Sequence, residues 1–381
     1  MLGFGIRSIL GLFLEPMTSA NGWTRETFSL AMAIQNLLWG IGLPIAGILV
    51  DKYGPRYVLI IGAVLYAFGL YGMANAQSGF MLQLMGGFVA GTGIAFTAFS
   101  LMLATMVKVV GVEKRSLVLG LGTAAGSLGQ VLFSPISQGM ISQYGWHSSL
   151  MILASLCFII IPLALMLPKA ERLSDIHQHE QTLTAALYEA LSHRGFVLLT
   201  VGFFVCGFHV AFITVHFPAY VRDIGLNPIV GAYSIAIVGL FNIIGSLYSG
   251  YLGQRHSKKM GLAGIYFARA ITITALLLLP KTPLVIYLFS AVMGLLWLST
   301  VPLTTGIVAQ VFGVRYMATL FGVVFLSHQL GSFTGVWLGG RLYDQSGSYD
   351  SMWVAGIFLG VLAALIHLPI NEKPLPRLKP E

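Results

Sequence analysis

Long apolar stretches separated by short polar turns run the length of the chain. Those in the first part, rich in Leu, Ile, Gly and Ala, predict helices over 2–18, 26–50, 57–76, 79–107, 117–141 and 148–167. Beyond a polar interruption the pattern resumes over 196–220, 229–252, 261–280, 283–310, 318–342 and 351–370. An apolar run of ~20 residues crosses the ~30 Å hydrocarbon layer as a helix. Backbone groups in lipid must pair internally, which leaves helices or a closed barrel, and these runs are too long for barrel strands. The pattern predicts an all-α polytopic membrane protein with twelve transmembrane helices.

The interruption divides the chain into a six-helix bundle (1–167), a cytoplasmic linker (168–194), and a second six-helix bundle with a short cytoplasmic tail (195–381). The two halves repeat one another. Gly111, Gly120, Gly129 and Gly145 recur as Gly313, Gly322, Gly331 and Gly347, all 202 residues further on, and Gly111-Val112 is echoed by Gly313-Val314. Parallel halves of this kind place a substrate site between them near the midplane. With a cytoplasmic N-terminus, the inner loops hold fifteen basic residues, among them Lys52, Arg56, Lys258 and Lys259. The outer loops hold only Arg25, Arg222, Lys281 and Arg341. That bias predicts both termini on the cytoplasmic side of a cell (inner) membrane. The first span is short: Leu2 to Pro16 reaches roughly 20 Å as a helix, and the expectation is that apolar residues precede Met1.

Composition agrees with the membrane reading. The 381 residues are 56% hydrophobic and 9% charged, where a soluble domain carries about a quarter charged residues. The net charge of +8 is spread over short loops, so topology accounts for it and no nucleic-acid partner is expected. Cys157 and Cys206 lie inside apolar runs and read as packing residues.

Between the second and third predicted spans stands the tight polar segment Gly47-Ile48-Leu49-Val50-Asp51-Lys52-Tyr53-Gly54-Pro55-Arg56. Here the chain resembles the major facilitator superfamily over essentially its whole length, since Gly47, Asp51, Lys52, Gly54 and Arg56 match that family's signature turn. The resemblance implies a transporter in which this turn is a conformational latch. Gly47 would allow close helix contact, Gly54 the tight turn, and Asp51 a pairing across the bundle. The second-half copy, Gly250 through Lys259, keeps the glycine and the bases but lacks the acid. Three segments look like the branch holding monocarboxylate transporters and oxalate/formate antiporters. They are Arg7-Ser8 with Phe13-Leu14-Glu15-Pro16, the turn Asp51 to Arg56, and His328-Gln329-Leu330-Gly331 leading to Tyr343-Asp344 and Tyr349. Where that branch often carries a basic residue in the eighth or eleventh span, this chain has Asn242, and His328 with Gln329.

Ionisable residues inside spans face cavities or partners and are functional candidates. All thirteen acids fall in loops or near helix ends, with Glu15 closest to a span, whereas Arg7, Arg269, His209, His216 and His328 fall inside spans. A net basic interior suits an anionic cargo. The substrate-binding candidates are Arg7, Arg269, His209, His216, Asn242, His328 and Gln329. Each also has a plain reading: snorkelling for Arg7, bonds to helix-end carbonyls for Arg269, helix packing for His328 with Gln329 and for Asn242. His209 and His216 are seven apart on one helix face, and a histidine there could carry a coupling proton.

These features predict a secondary transporter of a small organic anion, a mono- or dicarboxylate, coupled to protons or to a counter-anion. The rival is an exporter of neutral or amphipathic compounds in which both arginines are structural. A sensor on the same fold would need a signalling domain for which linker and tail leave no room. No nucleophile–base pair, metal-ligand cluster or phosphate loop is present in the pattern, so neither an enzyme nor a metal or cofactor is expected.

Overall fold

The computed structural model describes residues 1–98, 101, 115–167, 182–313 and 316–378. The first crossing is α1 (Leu2–Ser8), a 3-10 turn (Leu10–Phe13) and α2 (Leu14–Asn21). Then follow α3 (Arg25–Tyr53), α4 (Pro55–Ala74), and a fourth crossing made of α5 (Gly79–Leu82), a π-helical stretch (Gln83–Val89) and α6 (Ala90–Phe96). Next come α7 (Arg115–Cys157) and α8 (Ile160–Leu165), and then α9 (Leu183–Ser192). The second half comprises α10 (Arg194–Asp223), α11 (Pro228–Arg255), α12 (Lys258–Leu278), α13 (Pro283–Leu296), α14 (Thr300–Phe312), α15 (Met317–Ser346) and α16 (Asp350–His367).

Nine helical stretches among the described residues are long and apolar enough to cross a membrane. One of these, Ala124–Leu165, is bent in two at Gly145, whose φ of 76° and ψ of 166° interrupt α7. That split, together with the broken first crossing and α15, brings nine to twelve. Gly347 sits at φ 71° between the last two crossings, at the position equivalent to Gly145. A residue with a side chain strains at such angles, so the repeat seen in the sequence marks a positive-φ glycine at the same place in each half, with ψ 166° at Gly145 and 9° at Gly347.

Local chemistry sets the helix ends. Thr24 and Ser257 accept hydrogen bonds from the backbone N–H groups of Thr27 and Met260, and Asn227 and Thr282 cap helices that have proline at their first position. Gly54, at φ 83°, ends α3 and starts α4 in a single residue.

Within the linker, 183–192 form a helix whose Ala186 and Ala190 are buried. Its Glu189 forms an ion pair with Arg377 of the tail at 2.9 Å. The span expected over 283–310 is broken at 297–299. Pro302 lacks the N–H that would bond Leu298, which weakens the helix there.

The helices pack into two six-helix bundles. One core gathers around Phe13, Phe28, Tyr66 and Leu150 and takes in Ala211, Val215 and Val336 from the second half. The other gathers around Phe203, Tyr266, Trp297 and Trp353. Within the second bundle α10 and α15 cross almost in backbone contact: a Cβ on Gly331 would stand 1.9 Å from the Phe204 carbonyl oxygen. Small residues at four-residue spacing permit this approach.

Candidate functional site

The interface between the bundles is held at one end. Arg25, at the start of α3, grips Asp223 with two hydrogen bonds of 2.7 Å. Its guanidinium also donates to the Tyr349 hydroxyl at 2.9 Å and lies 3.7 Å from the centre of the Tyr343 ring. The Asp344 carboxylate accepts from the backbone N–H groups of Arg25 and Glu26, while Trp337 donates to Glu26. Glu15 pairs with Arg222 beside a cavity of about 200 Å³ lined by Gly11, Gln138 and Pro228. Burial holds the Tyr349 hydroxyl well above the usual tyrosine range. Toward mid-membrane, Ser134 and Gln130 of α7 donate to the carbonyls of Ala232 and Ile235 on α11.

At the opposite end no hydrogen bond or ion pair joins the bundles among the described residues, and added Cβ atoms at Gly47 and Gly322 would meet nothing within 4 Å. The close helix contact expected at Gly47 is not made in this conformation among the described residues. Lys52 lies over the Tyr53 ring at 5.1 Å, and Arg56 donates to the Leu165 carbonyl of its own bundle. The side chain of Asp51, with Gly111, Val112 and Val314, lies outside the described residues.

Arg7 sits where the clasped and open parts meet. It is half-buried. It donates to the Asn36 side-chain oxygen and lies 4.4 Å from the centre of the Trp39 ring. Its Nε has no partner. Beside it is a cavity of about 10 Å³, the room of one water molecule, lined also by Gln35, Ala211 and Thr214. Trp39 meets Phe325 edge-on at 5.4 Å, and Phe325 stacks on His328 at 5.6 Å. A Cβ on Gly40 would come 2.8 Å from Gln329, whose amide is fully buried with neither end partnered. Arg7 and His328 are thus joined through Trp39 and Phe325, and Gln329 packs against Gly40, the residue after Trp39. A guanidinium with a free N–H, beside aromatic walls and unpartnered amide groups, can hold an anion with an apolar body.

The other candidates stand elsewhere. Arg269, 0% exposed, donates to the carbonyls of Leu296 and Trp297, and Asn242 accepts from the Leu298 N–H at 3.0 Å. Both satisfy the broken helix between α13 and α14. Asn242 also donates to Ser127 across the interface at 2.9 Å. His209 bonds the Gly356 carbonyl oxygen at 2.8 Å, within its own bundle. His216 faces the junction, with Val336, Tyr349 and Ser29 around it. Sequence reasoning missed Trp39 and the group of Arg25, Asp223 and Tyr349. A base and an acid at facing helix ends was the available signal.

Comparison with known proteins agrees with this architecture. The family model of the Major Facilitator Superfamily matches residues 1–336 and 236–381. Monocarboxylate transporter 13 of Bos taurus is 25% identical over 374 residues, which cover 96% of this chain and 86% of the relative. The MFS-type transporter YcxA of Bacillus subtilis (strain 168) is 24% identical over 383 residues, covering 96% and 91%. The fold superposes on a bacterial homolog of the human lysosomal transporter Spinster with a TM-score of 0.78 at 13% identity, over 96% of this chain and 93% of that one. It also superposes on a D-xylose–proton symporter with a TM-score of 0.73 at 16% identity, over 98% and 97%. The chain belongs to the Major Facilitator Superfamily and is a transporter, not an enzyme.

Proposed function

We propose that this transporter moves a small organic anion, a mono- or dicarboxylate, across the cell (inner) membrane by alternating access, coupled to protons or to anion exchange. The observation that carries the reading is Arg7, a half-buried cation at the junction of the bundles with an unpartnered Nε. The spans supply it with no carboxylate: its partners among the described residues are Asn36 and Trp39. An anionic cargo supplies the missing charge. Relatives named as monocarboxylate transporters support the same class. In this reading the moving units are 1–167 and 195–381, and the excess of basic residues in one set of loops supports cytoplasmic termini and an outward-lying clasped end. His328 and Gln329 face the cargo from the second bundle, and Arg269 and Asn242 maintain the helix break. The turn Gly47–Arg56 serves as a latch in the opposite conformation.

The contacts that Asn36 and Trp39 make to Arg7 favour the rival, an exporter of neutral or amphipathic compounds in which Arg7 is structural. Uptake of labelled lactate, pyruvate, oxalate and formate into proteoliposomes, with and without an inward proton gradient, separates the two. Losing a charged hydrogen-bond donor costs about 2 kcal/mol, so Arg7→Gln should weaken apparent affinity roughly thirtyfold. Undiminished uptake by that variant, or no uptake of any acid by the natural protein, would overturn the reading.

A further inference from the structure

His216 is fully buried on α10, yet a continuous hydrogen-bonded chain links it to the clasp. Its Nε2 lies 2.8 Å from the Val336 carbonyl oxygen, which can only accept, so Nε2 carries hydrogen. In the neutral ring Nδ1 must then accept, and it does so from the Tyr349 hydroxyl at 3.0 Å. The Tyr349 oxygen accepts in turn from Arg25 at 2.9 Å, and Arg25 holds Asp223. Ser29 of α3 lies further from Nε2, at 3.5 Å. The chain crosses the interface, because Arg25 belongs to α3 and the rest to the second bundle.

We propose that His216 is a proton-binding site of this transporter and that the proton it takes releases the clasp. A proton on Nδ1 turns that nitrogen into a donor. The Tyr349 oxygen then receives hydrogens from both His216 and Arg25, and its own hydrogen loses its acceptor. An imidazolium also stands next to the Arg25 guanidinium, two cations joined by one hydroxyl. Asp223 is committed to Arg25, and the bonds of His216 among the described residues go to Val336, Tyr349 and Ser29, none of them a carboxylate. Facing His216 from α3 are Arg25 and Glu26, and Glu26 accepts from Trp337. From α15 come Tyr343 and Asp344, with Asp344 committed to the backbone of α3. Asp350 begins α16. On α10 itself, Tyr220 stacks on Phe217, Arg222 is paired with Glu15, and Asp223 with Arg25. Acid therefore favours separation of the clasped ends, and closing the clasp expels the proton, since coupling between two equilibria is reciprocal.

The inference rests on the transport reading but not on an anionic cargo, because its readout is a distance and not an uptake. Spin labels on cysteines at the exposed positions Ala20 and Gln345 report the gap in the purified full chain with Cys157 and Cys206 replaced by serine, without cargo. Between pH 8 and pH 5 the natural residue should give about a fivefold or larger rise in the ratio of long to short distances. His216→Gln, whose amide can donate and accept but does not titrate, should hold one distribution throughout. Tyr349→Phe cuts the chain and should show the long distance at both pH values. No acid response with His216 present, or the same response in His216→Gln, would overturn the proposal.

Discussion

The two ends of the interface are built from similar helices and behave oppositely, and glycines show the difference well. At the clasped end, a Cβ on Gly11 would stand 2.4 Å from the Thr214 carbonyl oxygen, and one on Gly340 would stand 2.5 Å from Ser29. At the other end, Gly47 and Gly322 meet nothing within 4 Å among the described residues. The same small residue is a contact surface in one place and an unused one in another. Ion pairs follow the same division. Glu15–Arg222 and Arg25–Asp223 cross between bundles, whereas Glu189–Arg377 ties the linker helix to the tail. Alternating access needs two interfaces of which one is made at a time, and here the made one is the end bearing residues 15–29. Arg7 lies at the boundary, where a cargo would be reached from the open side.

The largest break of this asymmetry should come from Gly11→Ala. The new methyl group meets main-chain atoms of α10, which cannot rotate away, so the first crossing and α10 must part. Overpacking of this kind costs about 3 kcal/mol. The expected result is lower thermal stability together with a wider gap at the clasped end by distance measurement; unchanged values of both would mean that the crossing is looser than the geometry implies. Asp223→Ala should act in the same direction with a smaller effect. The pair is bidentate and partly shielded, with side-chain exposures of 12% and 26%. Its loss is worth about 1 kcal/mol, roughly fivefold in the balance of open and closed clasp. Labelling of an introduced cysteine at Ser29, buried at this contact, should be correspondingly faster. Exchanging the two charges, Arg25→Asp with Asp223→Arg, should restore the slower rate in part.

The fold was legible because lipid leaves the backbone few options, so apolar length alone placed the spans. Gly145 and Gly347 belong to the repeat because the chain takes a positive φ at both turns. What the pattern could not give was partnership. Arg7 and Arg269 look alike in sequence, each a lone arginine in an apolar helix. In space, Arg269 answers the carbonyls released at 296–297, and Arg7 stands at the junction with Nε free. His209 and His216, on one predicted face, turn to different neighbours because α16 packs against one and α3 approaches the other. The helix at 183–192 was hidden by its brevity, since ten residues of mixed polarity carry little signal next to thirty-residue spans.

Gly47→Ala should have the smallest effect on this conformation and the most informative one on function. Its Cβ enters empty space, and alanine is the better helix former by about 1 kcal/mol. Thermal stability should therefore hold or rise slightly, the reverse of Gly11→Ala. Transport makes a separate demand. If the open end closes during each cycle by bringing a helix against Gly47, the added methyl group obstructs that state alone. Turnover should fall while stability does not, and the spin-label gap at the clasped end should stay narrow. Equal turnover in Gly47→Ala and the natural protein would mean that the second interface closes elsewhere along α3. In that case the two ends of the molecule are not made by the same kind of contact.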